Sequence, residues 1–261
     1  MTAVDEWDQA ATADAYEAFC GRHARYREAN QSLAAHAALE PGQRVLDVGA
    51  GTGRTADALL PTLGPTGTLT CFEPALAMRL AGAERLRDPR VSWVAEWPGE
   101  GGFDRIVCGA AIWQLLPLAE TFAKAADRVA PGGAFCFNIP ALYLGVPDEP
   151  GEGRDPLLQE LPARVAEGRT PTAVRSEPLP GSDAIDQWLL EVGLVPTRWS
   201  FRTRLTQAAY RDWLKVPPMS SGWLSHLGPD QRAECIDRAY QVVDPDSWRW
   251  ERWLGWTGWK T

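Results

Sequence analysis

The stretch Val45-Leu46-Asp47-Val48-Gly49-Ala50-Gly51-Thr52-Gly53 constrains the fold of this 261-residue chain more than any other. Val45, Leu46 and Val48 suit a strand covered on both faces, as the strands of a parallel sheet are. The glycines that follow let the backbone turn sharply and lie close against a ligand. A strand, an acid and a glycine turn in immediate succession describe a nucleotide-cofactor loop on the first strand of an α/β, doubly wound sheet. A dinucleotide fingerprint needs a further glycine three residues after the second, and Arg54 stands there. The observed spacing is G-x-G-x-G, which argues against a hydride-transfer enzyme.

These residues resemble the first motif of the class I S-adenosylmethionine (SAM)-dependent methyltransferases, in particular the small-molecule branch that includes the ubiquinone and menaquinone biosynthesis enzymes. The resemblance runs over roughly residues 40 to 140 and is most specific in this motif. It implies a Rossmann-like fold with a seven-stranded sheet, and SAM as cofactor, held by Asp47, Gly49, Ala50, Gly51 and Gly53. Twenty residues beyond Gly53, Thr68-Leu69-Thr70-Cys71-Phe72-Glu73 is again a short strand ending in an acid. A carboxylate at that tip can accept hydrogen bonds from both hydroxyls of a ribose. Similarity to the family gives Glu73 this role and has Pro74 fix the turn into a helix from Ala75 to Leu86.

The third strand is Val91-Ser92-Trp93-Val94, and here the chain departs from the family. Many relatives hold the adenine amino group with an aspartate placed just before an alanine-glutamate pair. Ala95-Glu96 matches the pair, but Val94 takes the aspartate's place. A backbone amide, Glu96, or packing against Trp97 could substitute, and the residues alone do not choose. Phe103 to Cys108 has the family's fourth-strand entry. After Cys108, Gly109-Ala110-Ala111 keeps the backbone slim where the resemblance passes the methionine moiety, and Trp113-Gln114 falls where relatives face the reaction centre, with Trp113 as a pocket wall. Base and glutamine amino methyltransferases usually end this strand in Asn/Asp-Pro-Pro-aromatic, which is absent. Asn138-Ile139-Pro140 follows Pro131-Gly132-Gly133 and the apolar run from Ala134 to Phe137, so it ends the fifth strand instead.

The order of elements reads as a single domain, 1–261. Helices over 11–23 and 26–39 carry Tyr16, Phe19 and Tyr26 at roughly helical spacing, and the resemblance implies that residues 1–40 form a lid over the cofactor. Residues 141–182 and 206–247 interrupt the pattern. The first insertion holds Tyr143, a turn-rich run from Gly145 to Gly153 and a helix over 155–168. Ser182 reads as the N-cap of a helix over 183–192 that Gly193 stops. A sixth strand over 197–205 precedes the second insertion, with helices over 207–215 and 229–243. Family topology places the last strand, 250–259, antiparallel beside the sixth at the sheet edge. Both insertions should roof an acceptor pocket, because ligands sit outside the carboxyl ends of the strands. Tyr16, Tyr26, Trp113, Tyr143, Trp213 and Trp223 are the candidate acceptor contacts. The tryptophans of the last strand alternate in parity, so most belong to core or sheet cover.

A formal net charge of -8 leaves no broad basic face for nucleic acid. Five scattered cysteines without a C-x-x-C pair read as reduced thiols, and no signal peptide or membrane-length apolar run is present, which predicts a cytoplasmic protein without a membrane partner, as monomer or homodimer. No cluster has metal-ligand spacing. Methyl transfer from a sulfonium is an in-line displacement that chiefly demands positioning and exclusion of water. A hydroxyl or ammonium acceptor would also need a base. His23, near the lid, and His226, in the second insertion, are the candidates, while His36 reads as structural. The expected activity is methyl transfer from SAM to a small-molecule acceptor, a secondary metabolite in a bacterial chain, with oxygen as the first choice of accepting atom. The alternatives are a SAM-binding protein that catalyses a cyclisation or elimination without methylating, and a protein or peptide methyltransferase.

Overall fold

A computed structural model describes residues 6–99, 101–146, 157, 160, 179–222 and 224–261. Two helices, α1 (Ala10–Arg22) and α2 (Arg25–His36), precede β1 (Arg44–Val48). Then follow α3 (Arg54–Leu63), β2 (Thr68–Phe72), α4 (Leu76–Arg85), β3 (Val91–Val94), β4 (Phe103–Cys108), α5 (Leu118–Arg128) and β5 (Val129–Pro140). The chain ends with α6 (Ser182–Glu191), β6 (Leu194–Thr206), the helices α7 (Gln207–Leu214), α8 (Pro217–Ser221) and α9 (Pro229–Tyr240), and β7 (Trp248–Lys260). The seven strands form one sheet in the order β3-β2-β1-β4-β5-β7-β6, with β7 antiparallel to both neighbours.

The burial explains why the first strand is apolar on both sides. Val45 and Leu46 point to opposite faces and join different core clusters, one with Leu33 of α2 and Leu59 of α3, the other with Phe122 of α5 and Leu189 of α6. Helices α2, α3 and α4 cover the first face, and α5 and α6 the second. Trp93 of β3 lies where a side chain on Gly82 of α4 would stand, so this glycine lets an indole fill the helix–sheet gap.

Several boundaries differ from the sequence reading. Strands β5, β6 and β7 run longer because pairing continues past the apolar runs: β6 and β7 stay in register from Leu194↔Lys260 to Thr206↔Trp248. The sheet edge on that side is β6, and β7 lies one place inward, between β5 and β6. Gly181 is the N-cap of α6 and Ser182 its first helical residue, without a side-chain cap bond at Gly181. Gly193 does follow that helix with φ +78°. Trp253 and Trp256 are fully buried, Trp256 stacked on Phe137 at 5.4 Å, so these two make core, while Trp248, Trp250 and Trp259 are partly exposed.

Because β6 runs antiparallel to β7 and β7 antiparallel to β5, the Thr206 end of β6 lies at the carboxyl end of the parallel strands. Helices α7 to α9 therefore emerge on the side of the glycine loop. Most of 147–178, including the helix read over 155–168, lies outside the described residues; Leu157 is buried against the main core.

Candidate cofactor and acceptor site

The loop after β1 is shaped by three left-handed glycines, Gly49, Gly51 and Gly53, with φ of +70°, +56° and +79°. Residues with a Cβ adopt this conformation at a cost of about 1 kcal/mol. Gly49 and Ala50 N–H donate to the Phe72 carbonyl at 2.9 and 3.0 Å, which binds the loop to the tip of β2. There Glu73 Oε2 accepts from Gly51 N–H at 2.8 Å and Oε1 from Ala75 N–H at 2.9 Å. Burial pushes the Glu73 carboxyl up, and the two backbone donors pull it back. Each oxygen keeps a lone pair beyond the one in use, and Glu73 lines a cavity with Gly49, Ala50, Gly51, Pro74 and Gly109.

Across that cavity the tip of β4 is equally built. A Cβ on Gly109 would meet Thr55 Oγ1 at 2.3 Å and Asn30 Oδ1 at 2.6 Å, so no side chain fits. Ala110 follows with φ +52°, a strained conformation for a residue with a Cβ. Its N–H donates to Asn138 Oδ1 at 2.8 Å, while Asn138 Nδ2 donates to the Ala29 carbonyl at 3.0 Å. Asn138, at the end of β5, thus fixes the cavity wall to α2.

Asp47 is fully buried, and neither carboxylate oxygen has a hydrogen-bond partner among the described residues. Burial, with the charge of Glu73 added, pushes its carboxyl up to about 8. It does not line the cavity. A buried acid without a partner is costly, and a cation bound against the loop would offset that cost. SAM carries both an ammonium and a sulfonium. With a side-chain-free cradle and an acid at the tip of β2, the residues present fit this cofactor.

The N-terminal segment closes the other side. Trp7, just ahead of α1, Tyr16 of α1 and Tyr26 of α2 all line the cavity, with ring centroids 5.8 Å (Trp7–Tyr16) and 5.6 Å (Tyr16–Tyr26) apart. Trp7 Nε1–H donates to Gln114 Oε1 at 2.7 Å, and Ala77 N–H at the start of α4 donates to Asp8 Oδ1 at 2.9 Å. Glu17 of α1 accepts from Thr52 Oγ1 and from Arg54 Nε at 3.0 Å and also pairs with Arg54 Nη2, tying α1 to the glycine loop.

Of the residues predicted from sequence, Gly49, Ala50, Gly51, Glu73, Pro74, Gly109, Tyr16 and Tyr26 meet around this cavity. Gly53 backs the loop against Trp93 and Arg85. Cys108 is buried in the core, its thiol pushed well above the usual range by burial. Glu96 is exposed, and Trp97 packs on Phe72 at 5.3 Å with Arg128 over its ring; neither lines the cavity.

Trp113 is a correction: it turns into the core, against Tyr143 at 5.0 Å and Trp253 at 6.4 Å, and its neighbour Gln114 lines the cavity instead. The turn of 3-10 helix over Ile112–Gln114 rotates the two side chains apart. Trp213 is buried and donates its Nε1–H to the Tyr26 hydroxyl at 2.9 Å, so it supports the lining without forming it. Trp223 lies outside the described residues. His23 Nε2 lies 2.9 Å from Asp212 Oδ2 and joins α1 to α7, off the cavity lining. His226 is exposed and does not line it either.

Sequence reasoning missed Trp7, Arg54, Thr55, Met78 and Leu115, which also line the cavity. Arg54 stands beside the last loop glycine, and adjacency alone could have found it. Trp7 had no such signal, because its position depends on how α1 folds back.

A methyltransferase-domain family model matches residues 21–197, more than half of the chain. A Rhizobium meliloti protein-L-isoaspartate O-methyltransferase is 33% identical over 106 residues, covering 39% of this chain and 49% of that protein. The chain thus spans about half the length of this curated relative. The fold is similar to that of YcgJ from Bacillus subtilis, with a TM-score of 0.57 at 15% identity over 90% of this chain and 98% of that one. It is also similar to a Haemonchus contortus phosphoethanolamine N-methyltransferase 2 solved with S-adenosyl-L-methionine, with a TM-score of 0.52 at 15% identity over 88% of this chain and 52% of that one. The family match and the 3-2-1-4-5-7-6 sheet agree: the chain belongs to the methyltransferase-domain family.

Proposed function

We propose that the protein transfers the methyl group of SAM to an oxygen of a small organic acceptor in the cytoplasm and releases S-adenosylhomocysteine. The observation that carries this reading is one cavity bounded by the glycine loop and Glu73 on one side and by Trp7, Tyr16, Tyr26 and Gln114 on the other. When bound, SAM supplies an electrophilic methyl carbon on a positively charged sulfur. Glu73 is placed to accept from the ribose hydroxyls with its remaining lone pairs. The slim backbone at Gly51 and Gly109 admits the methionine chain, and Asp47, whose raised carboxyl is mostly protonated near neutral pH, would ionise against a cation held by the loop. On the facing side, the aromatic lid residues exclude water and hold the acceptor in line. Such positioning lowers a displacement barrier by about 7 to 11 kcal/mol in favourable cases.

Within a single domain, helices α1 and α2 are proposed to enclose the acceptor, with Trp213 of the second insertion supporting Tyr26 from behind. His23 is engaged by Asp212 and His226 faces outward, so neither is assigned a proton transfer. No helix among the described residues is long and apolar enough to cross a membrane. The test is incubation with methyl-labelled SAM and candidate metabolites. Label appearing in an acceptor supports the reading; acceptor turnover with no label incorporated would show a SAM-binding enzyme of another kind.

A further inference from the structure

The hydrogen bonding of Tyr26 and Gln114 leaves both as donors toward the cavity. The Tyr26 hydroxyl oxygen accepts from Arg25 Nη1 at 3.3 Å and from Trp213 Nε1 at 2.9 Å. Both lone pairs are then in use, and what remains is the O–H. Burial pushes the phenol up, which keeps that proton in place at neutral pH. Gln114 is oriented by the same logic. An indole N–H only donates, so the oxygen of the amide must face Trp7, and the NH₂ group is left for the cavity. Neither donor meets an acceptor among the described residues.

This arrangement is held firmly. Arg25 forms a two-pronged pair with Glu251 at 2.8 and 2.5 Å, and its guanidinium lies over the rings of Tyr26, Trp213 and Trp253 at 5.1, 4.7 and 5.4 Å. Glu251 and Trp253 belong to β7, two strands beyond β4 in the sheet. Tyr26 is therefore held in a fixed position in the cavity lining, with its hydroxyl proton uncommitted.

The described lining offers no base. Its acids and cations are Glu73, whose oxygens accept from backbone, and Arg54, paired with Glu17. An ammonium acceptor would find no group to take its proton. A phenol, which ionises near pH 10, would also need a base, whereas a carboxylic acid, ionising near pH 4, needs none.

Resting on the methyl-transfer reading above, we propose that the acceptor is a small carboxylate that arrives ionised, one oxygen held by Tyr26 O–H and Gln114 Nε2–H. A lone pair of the other oxygen forms the O–CH₃ bond as the C–S bond breaks and its electron pair stays on sulfur. The products are a methyl ester and S-adenosylhomocysteine, and no proton moves.

The test follows S-adenosylhomocysteine release with a broad library of aryl and alkyl carboxylates, including benzoate, phenylacetate and indole-3-acetate, against amines of matched shape, including benzylamine and phenethylamine. Carboxylates should turn over, give alkali-labile methyl esters, and lose about tenfold or more in kcat/KM in both Tyr26→Phe and Gln114→Glu. Affinity for S-adenosylhomocysteine, measured by calorimetry, should stay unchanged in both variants, which shows them folded. Methylated amines, carboxylate turnover that survives both substitutions, or no carboxylate turnover by protein that binds SAM would overturn the assignment. Failure to bind SAM would instead overturn the methyl-transfer reading on which it rests.

Discussion

Asp47→Asn separates the electrostatic cost of the site from its packing. The Asp47 carboxyl is fully buried and raised from 3.8 to about 8, so the fold holds its proton more tightly than the unfolded chain does. Stability must therefore fall as pH rises between about 4 and about 8 and be flat, as far as this group is concerned, on either side. At about 1.4 kcal/mol per pH unit, the ceiling between pH 5 and pH 8 is about 4 kcal/mol. Polarisation of the surroundings, which brings the effective dielectric of buried sites toward 20, reduces this to about 2 kcal/mol. The asparagine of the variant is neutral throughout and removes the slope while keeping the shape. Urea unfolding at pH 5 and pH 8 should show the wild type losing about 2 kcal/mol more than Asp47→Asn, close to 1 M in midpoint for a slope near 2 kcal/mol/M. Under the proposed role of Asp47, saturating S-adenosylhomocysteine brings a cation to the loop and flattens the slope in the wild type alone. Parallel curves for the two proteins, with differences below about 0.5 kcal/mol, would refute the account of Asp47 as a strained, unpartnered acid.

Glu251→Gln leaves Arg25 as a buried cation without its counter-charge and should cost about 3 to 5 kcal/mol in chemical unfolding, whereas an exposed pair would cost less than about 1 kcal/mol. Glu17→Gln removes the charge that ties α1 to Thr52 and Arg54. It should speed release of S-adenosylhomocysteine in stopped-flow several-fold while changing global stability by about 1 kcal/mol or less, and an unchanged off-rate would show that α1 does not gate the cavity. Asn138→Ala removes the acceptor that holds Ala110 and the donor to Ala29, at about 1 to 3 kcal/mol for each buried group left unpaired. Its unfolding midpoint and its affinity for S-adenosylhomocysteine should fall together.

The glycine loop and the strand tips that line the cavity were legible in sequence because local rules determine them. A buried strand, a left-handed turn and an acid at the next strand tip are each encoded within a few residues, and Gly49, Gly51, Glu73 and Gly109 all lie where those rules place them. Strands were legible to the extent that their apolar runs were; β6 and β7 extend beyond because cross-strand pairing, not composition, sets their ends. The acceptor half depends on contacts between distant segments. Gln114 takes the place expected of Trp113 because one turn of 3-10 helix decides which of two adjacent side chains faces inward. His23 is held by Asp212, 189 residues away, a pairing that no local pattern announces. The buried Arg25–Glu251 pair, 226 residues apart, is of the same kind.

Calorimetric titration of S-adenosylhomocysteine into wild type and Glu73→Ala tests the central assignment most directly. Loss of charge-assisted hydrogen bonds to two ribose hydroxyls should weaken binding by about 1.5 to 3 kcal/mol, roughly ten- to a hundredfold, with the far-ultraviolet spectrum unchanged. Equal affinity in the two proteins would mean that the cofactor does not sit against the tip of β2, and the assignment of this cavity would be wrong.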